Sequence, residues 1–518
     1  MLLMMVLAAI AALALRWPRL EARPMHNDEA VNAIKFGQLW DQGIYKYDPN
    51  EHHGPTLLYA TLALGRLTGA PDFVHFSECR LRAVTVLFGF CLLLLLPLLM
   101  DGLGRGGVAW AALLTAVSPA FAFYSRYYIH EILLVFFTLL ALGAGWRYWR
   151  SRGLGWALLA GCALGLMDAT KETFVFTLAA AVLAMALNYL WHRHLDASAA
   201  PQKRPPVRWA HLGGALGVWL VVAFILFSSF FTNAGGPMDS IWTYLPWLQR
   251  AGGASPHIHP WYFYLRRLLF FHLYDGPIWS EAFILLLAVI GAAAGFRRRR
   301  LAGANADLVR FLAFYTVLLT AIYSVLAYKT PWCLLSFWHG MILLAGVGAA
   351  VVVRTMRRQV WRLGCTLVIL AGAAHLGWQA RQADTTYAAD PRNPYVYSQT
   401  TPDILKLVAK VNALASVLPN PDQLLIKVMS PEDDYWPLPW YLRRFKQVGW
   451  WDRIPADPYA SVMLVAARIN ARLDEKEEKT HIMNGVYHLR PQFDFELYID
   501  LNLWRTYLEK HPPKRDQD

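Results

Sequence analysis

The sequence predicts an α-helical polytopic membrane protein of about eleven transmembrane helices, followed by a soluble α/β domain. Three observations predict it. Of 518 residues, 56% are hydrophobic and only 16% charged, where a soluble protein carries about 25% charge. Apolar runs long enough to cross a bilayer recur up to residue 380, and the remaining 138 residues turn to a mixed composition. Aromatics are abundant, at 14%. A soluble enzyme, a disordered chain and a disulfide scaffold are all disfavoured.

A spanning helix needs about 20 apolar residues and rarely fewer than about 17. The candidate runs are 1–16, 81–100, 107–125, 131–149, 154–170, 173–191, 209–231, 278–296, 308–328, 332–353 and 363–380. The first is short and lacks a basic start, so a cleaved signal peptide is the alternative. Either choice leaves residue 17 onward outside. The net charge of +13 could suggest nucleic acid, but its distribution decides otherwise. With the N-terminus inside, the inside segments hold sixteen Lys and Arg, and the short outside connections only Arg126, Lys171 and Lys329. That is a topology signal. It puts the C-terminal domain on the extracytoplasmic side, and the expected location is the plasma (inner) membrane. The five cysteines show no metal-type spacing and read as packing residues.

The transmembrane domain is therefore 1–380, with outer loops 17–80 and 232–277, and the tail domain is 381–518. Segment 17–80 holds helical stretches near 28–41 and 55–68. Loop 232–277, rich in Trp, Tyr, Pro and Gly, suits an interfacial or re-entrant lid. In the tail, Thr401-Pro402-Asp403 opens a helix to about 417. Strands are predicted at 423–429, 460–466 and 485–490, a charged helix at 467–479 and an amphipathic helix at 496–510.

Five polar clusters interrupt the apolar pattern. Asp28 and Glu29 open the first outer helix; they read either as a mount for a base or as a plain helix N-terminus. His52-His53-Gly54-Pro55 marks a turn, with imidazoles able to bind a metal or an anion. The turns Tyr124 to Glu131, Asp168 to Thr173 and Tyr328 to Trp332 carry Arg126, Glu131, Lys171, Glu172 and Lys329. Ionisable groups there are expensive unless used, although snorkelling to headgroups is the plainer alternative. His257 and His259 join from the large outer loop. By the topology, all lie on one face. Carboxylates, cations and imidazoles together could hold a lipid phosphate and a polar acceptor. Outside the cell there is no obvious supply of nucleotide sugars, so a transferase there would use a polyprenyl-phosphate-linked sugar. Phosphate leaves readily when neutralised by cations, and one carboxylate base on the acceptor hydroxyl suffices.

The order of these motifs resembles the GT-C membrane glycosyltransferases, which include protein O-mannosyltransferases and lipid A aminoarabinose transferases. Asn393-Pro394-Tyr395-Val396-Tyr397 and Asp433-Asp434-Tyr435-Trp436-Pro437-Leu438-Pro439-Trp440-Tyr441-Leu442 add a likeness to the family labelled flippase-activity-associated in archaeal N-glycosylation, with bacterial relatives. The resemblance implies an outward-facing GT-C fold. It would move a sugar from a polyprenyl phosphate to a lipid-linked glycan, a polysaccharide or a protein hydroxyl. Asp28 matches the general base, and Glu131 the second acidic position. His53-Gly54-Pro55 stands where aminoarabinose transferases have Lys-Pro-Pro, which departs from a cationic phosphate contact. Glu29, His53, Arg126, Lys171, Glu172, His259 and Lys329 are the candidate substrate-binding residues, with Arg126, Lys171 and Lys329 as the phosphate clamp. No cofactor or resident metal is expected; a divalent cation at His52, His53, His257 and His259 is the alternative. The rival function is a flippase or flippase accessory, which should place ionisable groups near mid-membrane and show a repeat. The tail motif also reads as aromatic packing onto the membrane surface, with Asp433 and Asp434 capping a helix near Pro437.

Overall fold

The computed structural model describes residues 1–50, 53–195, 206–247, 256–297, 301, 303–475 and 479–512. The chain divides into two compact units. One comprises Met1–Leu20, Gln38–Gly69 and Cys79–Tyr397, the other Glu21–Gly37, Ala70–Glu78 and Ser398–Asp518.

The first unit is helical. Among the described residues, seven helical stretches are long and apolar enough to cross a membrane: Glu78–Val117, Glu131–Ser151, Phe174–His194, Trp209–Phe227, Ala306–Val325, Pro331–Thr355 and Gln359–Asp384. Leu2–Arg16, Thr56–Leu67, Leu154–Asp168 and Ala282–Arg297 are shorter apolar helices. The runs predicted at 81–100 and 107–125 are redrawn. Pro97 lacks an N–H and falls in the 3-10 turn Leu96–Leu99, and Gly104 leaves helical geometry at φ +73°. The second helix stops at Ser118, and Pro119 opens a separate helix, Pro119–Ser125. Part of the basic loop evidence (Lys203, Arg204 and Arg298 to Arg300) lies outside the described residues.

Close helix contacts explain several glycines. A Cβ on Gly291 would meet the Leu344 carbonyl oxygen at 2.1 Å, and one on Gly348 would meet that of Leu287 at 1.9 Å. Helices Ala282–Arg297 and Leu335–Thr355 therefore pack backbone to backbone, as small residues allow in lipid. Arg16, fully buried, ends the first helix and donates to the carbonyls of Thr115 (2.9 Å) and Ala116 (2.7 Å) and to Ser125 Oγ (3.2 Å). It thereby satisfies carbonyls that end another helix.

The second unit is built on a five-stranded mixed sheet in the order β2-β1-β3-β5-β4. The strands are β1 (Leu425–Met429), β2 (Gln447–Trp451), β3 (Val462–Ala466), β4 (His481–Arg490) and β5 (Phe493–Asp500). β1 runs parallel to β2 and β3, and β5 antiparallel to β3 and β4. Helix Asp403–Ala415 buries Ile404, Leu407, Val411 and Leu414 in the same core as Ile426, Val428, Leu464 and Leu497. Three tail expectations change. The charged helix at 467–479 is only a 3-10 turn, Ala467–Ile469, because Asn470 and Arg472 take left-handed φ of +51° and +45°; residues 476–478 lie outside the described set. The helix expected from 496 starts at Leu501, since Phe495, Leu497 and Ile499 alternate into the core as β5. β2 was not predicted. Trp440, expected at the membrane surface, is buried within its own unit, where Nε1 donates to Glu78 at 2.8 Å. Asp434 bonds Arg468 (2.6 Å) and Arg490 (2.7 Å) rather than capping a helix.

Candidate active site

In the first unit, two short connections meet. The turn after helix Leu154–Asp168 carries Thr170, Lys171 and Glu172, and His53-Gly54-Pro55-Thr56 lies along it. Gly54 N–H donates to Thr170 O (3.1 Å) and Thr56 N–H to Ala169 O (3.2 Å), while the two threonine hydroxyls share a 2.8 Å bond. A Cβ on Gly54 would sit 2.1 Å from the Ala169 carbonyl oxygen, so only glycine permits this approach. The Gly-Pro turn is thus the docking element that brings His53 to Glu172.

Two charge-compensated pairs result. Lys171 Nζ donates to Glu131 Oε1, both side chains buried at the first turn of helix Glu131–Ser151. Burial disfavours the Lys171 ammonium, but the Glu131 carboxylate outweighs it and holds the amine above its ordinary value. His53 Nδ1 meets Glu172 Oε2 at 2.8 Å, and Tyr47 donates its hydroxyl to the same carboxylate at 3.3 Å. Burial would raise the Glu172 carboxyl, yet His53 and Lys171 bring it below its ordinary value. The His53 ring stacks on Trp247 at 5.4 Å and meets His130 edge-on at 5.2 Å. Nearby, Asp168 accepts from Trp219 Nε1 at 2.9 Å. Flat faces beside carboxylates suit a pyranose, with hydroxyls to the acids and C–H faces to the rings.

A second cluster gathers cations. Residues 257–259 pair with 327–329: Lys329 N–H donates to His257 O (2.8 Å) and His259 N–H to Ala327 O (3.0 Å). The Lys329 ammonium donates to the carbonyls of His259 (3.1 Å) and Leu326. His257 Nδ1 and His259 Nε2 both bond the Tyr397 hydroxyl, at 2.8 and 2.9 Å. Desolvation, then Arg267, His257 and Lys329, lower the His259 imidazole to about 4. Arg267, which the sequence reading passed over, lies 3.9 Å over the Phe263 ring, and its buried Nε has no hydrogen-bond partner among the described residues. The signal was available: an Arg-Arg pair inside a loop read as outer. Tyr124, fully buried, lies within electrostatic reach of both Arg267 and Glu131.

Arg126, expected in the phosphate clamp, is held by backbone carbonyls. Its guanidinium donates to the carbonyls of Arg16 (2.8 Å), Pro18 (2.7 Å) and Arg19 (3.1 Å), and lies 3.7 Å from Asp384. These bonds commit it to finishing the first helix. Glu281 was missed altogether. It is fully buried and accepts from Ser118 Oγ (2.5 Å), Ala120 N–H (3.0 Å), Tyr395 OH (2.6 Å) and Trp338 Nε1 (3.1 Å). A carboxylate at the head of an apolar run, as at Glu131, was the sign of it.

Asp28 and Glu29 belong to the second unit, on helix Asn27–Gln42. Adjacent in sequence, they have opposite fates. Glu29 is buried, ion-paired to Arg23 at 3.1 Å, and accepts the His26 N–H at 2.9 Å in a capping-box contact. Gln399 completes the knot by bonding Arg23 and Pro24. Glu29 is therefore a positioning group rather than an open substrate contact. Asp28 keeps a carboxylate 45% exposed on this fixed first turn, 3.9 Å from His26 Nδ1.

Among the described residues no group of three or more His, Cys, Asp or Glu could hold a metal ion. His52 lies outside them, and the other imidazoles are engaged by Glu172 and Tyr397.

Residues 67–234 match the model of the dolichyl-phosphate-mannose-protein mannosyltransferase family. No curated protein matches the chain in sequence. Solved structures share its fold. ArnT from Cupriavidus metallidurans, bound to undecaprenyl phosphate, is similar at 13% identity and TM-score 0.63, over 96% of this chain and 98% of that one. The archaeal oligosaccharyltransferase AglB from Archaeoglobus fulgidus, in complex with an inhibitory peptide and a dolichol-phosphate, is similar at 13% identity and TM-score 0.53 over 86% of this chain and 63% of that one. A mycobacterial arabinofuranosyltransferase, AftD, is similar at 15% identity and TM-score 0.50, over 96% of this chain and 39% of that one. The fold is the GT-C fold of membrane glycosyltransferases.

Proposed function

We propose that this GT-C-fold membrane protein transfers a sugar from a polyprenyl-phosphate donor to a hydroxyl on a lipid-linked glycan, a polysaccharide or a protein, working on the outer face of the plasma membrane. The observation that carries this reading is the gathering of Glu131, Lys171 and Glu172, with His53 docked on them, at the ends of apolar helices inside the stretch that matches the mannosyltransferase model.

Roles follow from chemistry. Asp28, exposed, takes the proton from the acceptor hydroxyl as that oxygen attacks the anomeric carbon. Arg267 and Lys329 neutralise the phosphate as the glycosidic oxygen departs with it, replacing Arg126 in the clamp. Glu131, held by Lys171, and Glu172, held by His53, order sugar and acceptor hydroxyls. No cofactor enters this scheme, and chelator treatment should leave the rate unchanged.

Sugar release from a panel of polyprenyl-phosphate sugars tests it, using wild type and Asp28→Asn in liposomes. Transfer by wild type, lost in the variant while donor binding survives, supports the reading. No transfer across a broad panel, with lipid-linked glycan still moving between leaflets, replaces it with a flippase.

A further inference from the structure

The Asn-Pro-Tyr-Val-Tyr motif has a geometry that the transfer scheme does not use. Asn393 is buried and donates to the carbonyls of Ala383 (3.2 Å) and Tyr387 (3.1 Å), while its own oxygen accepts Tyr395 N–H at 3.0 Å. Tyr395 donates its hydroxyl to Glu281 and accepts from Tyr124 OH on its carbonyl at 2.8 Å. These bonds fix residues 393–395. Two residues on, the Tyr397 phenol meets His257 and His259 at once.

A single phenol has one proton and two lone pairs. It can donate to the bare nitrogen of one imidazole and accept N–H from the other, with the Pro256 carbonyl a longer alternative acceptor for its proton at 3.4 Å. The surroundings demand neutrality. Arg267 comes from the same loop, Lys329 from the paired segment, and Tyr328 and Trp332 bring aromatic faces; Tyr124 faces Arg267 from helix Pro119–Ser125. Protonating either histidine would place another positive charge beside two fixed ones.

The latch sets more than itself. Residues 257–259 hold 327–329 through two backbone bonds, and the Lys329 ammonium rests on the His259 carbonyl. His259 also stacks on Phe263 at 4.1 Å, the ring under Arg267. We infer that Tyr397 is a positioning residue: its hydroxyl bridges the His257 and His259 imidazoles and so holds Lys329 and Arg267 in place for a lipid phosphate, releasing them on acidification. This rests on the donor reading above, and it moves His259 from substrate contact to latch.

The test compares wild type with Tyr397→Phe in lipid nanodiscs. The substitution keeps the ring against Trp332 and removes only the hydroxyl. Amide hydrogen exchange at His259 and Lys329 should quicken by about tenfold, and affinity for undecaprenyl phosphate should fall by about tenfold at pH 7.5, as for one lost hydrogen bond. Wild-type affinity should decline as pH falls from 5.5 toward 3.5, through the lowered His259 value, more steeply than that of the variant. Unchanged exchange at both amides overturns the latch. Faster exchange with unchanged affinity and pH profile overturns the positioning role. Both readouts are independent of catalysis, so an inactive wild type with the expected exchange and affinity changes defeats the transferase reading and leaves the latch standing. Should Tyr397→Phe fail to fold, His259→Gln keeps a bond to the phenol without titrating. It should lose the acid decline while exchange at pH 7.5 stays as in wild type, and an unaltered decline overturns the proposal.

Discussion

Glu172 and Glu281 are both buried glutamates just ahead of apolar helices, and the protein compensates them in opposite ways. Glu172 faces the His53 imidazole directly and the Lys171 ammonium beside it, and its carboxyl lies below the ordinary value. Glu281 faces two hydroxyls, an indole and a backbone N–H; burial outweighs these donors and raises its carboxyl. A carboxylate paired with a side chain of accessible charge can exchange that partner for a ligand. One whose lone pairs are filled by four donors from three segments is a structural knot. The same residue type at the same kind of position thus serves chemistry in one place and architecture in the other.

The largest effect should come from breaking a cationic pair. Lys171→Met leaves Glu131 buried and unpaired, which should cost about 3–5 kcal/mol, read as thermal unfolding in detergent. Adding Glu131→Gln should restore most of that stability but not sugar transfer. If the double variant is as unstable as the single, the pair is not what compensates Glu131.

Next comes the knot. Glu281→Gln puts an amide N–H₂ against two of the four donors, which should cost about 1–3 kcal/mol. Glu281→Gln should also loosen the Tyr395 strap, seen as faster exchange at Tyr395 N–H. Unchanged exchange there would mean that the strap is held by Asn393 alone.

The pH dependence separates the two carboxylates by sign. The folded value of Glu172 lies below the unfolded 4.5, so its contribution is present above pH 4.5 and lost as pH falls through the folded value. Glu281 is raised above 4.5, so its contribution is full below that pH and lost as pH rises through the folded value. Removing each in turn with Gln and following stability from pH 2 to 8 should therefore give difference curves of opposite slope. Parallel curves would refute the contrast.

The smallest structural effect belongs to Asp28→Asn. An exposed carboxylate outside any buried network should change stability by no more than about 0.5 kcal/mol, while transfer disappears. A large loss of stability would make Asp28 a structural cap and remove the case for a base.

Much of this was legible in the sequence where a pattern is local. Helices expected at 28–41 and 55–68 occupy Asn27–Gln42 and Thr56–Leu67, because a local apolar stripe suffices to set them. Lys171 and Glu131 were picked out as ionisable groups in apolar surroundings, but their pairing joins residues 40 apart and no spacing rule reports it. Arg126 shows the converse. A cation in a polar turn looked free for a ligand, and only the fold brings the end of the first helix to it. In the tail, period-2 burial along Phe493–Asp500 lost to an amphipathic helical reading, since a short run fits either period. Glu281, the Tyr397 bridge and the role of Gly54 depend on contacts across the chain and were beyond any single motif.

Arg16 carries a consequence for synthesis. Its partners Thr115 and Ala116 are translated about 100 residues later, which at about 5–20 residues per second is a wait of roughly 5–20 seconds. During that interval a newly inserted helix carries a bare guanidinium at its end. The ribosome thus delivers the first helix long before its seat exists. The nascent protein must park that charge among headgroups or in the insertion machinery until the sequence around Ser125 arrives, so pauses in translation over this window should fall hardest on correct assembly.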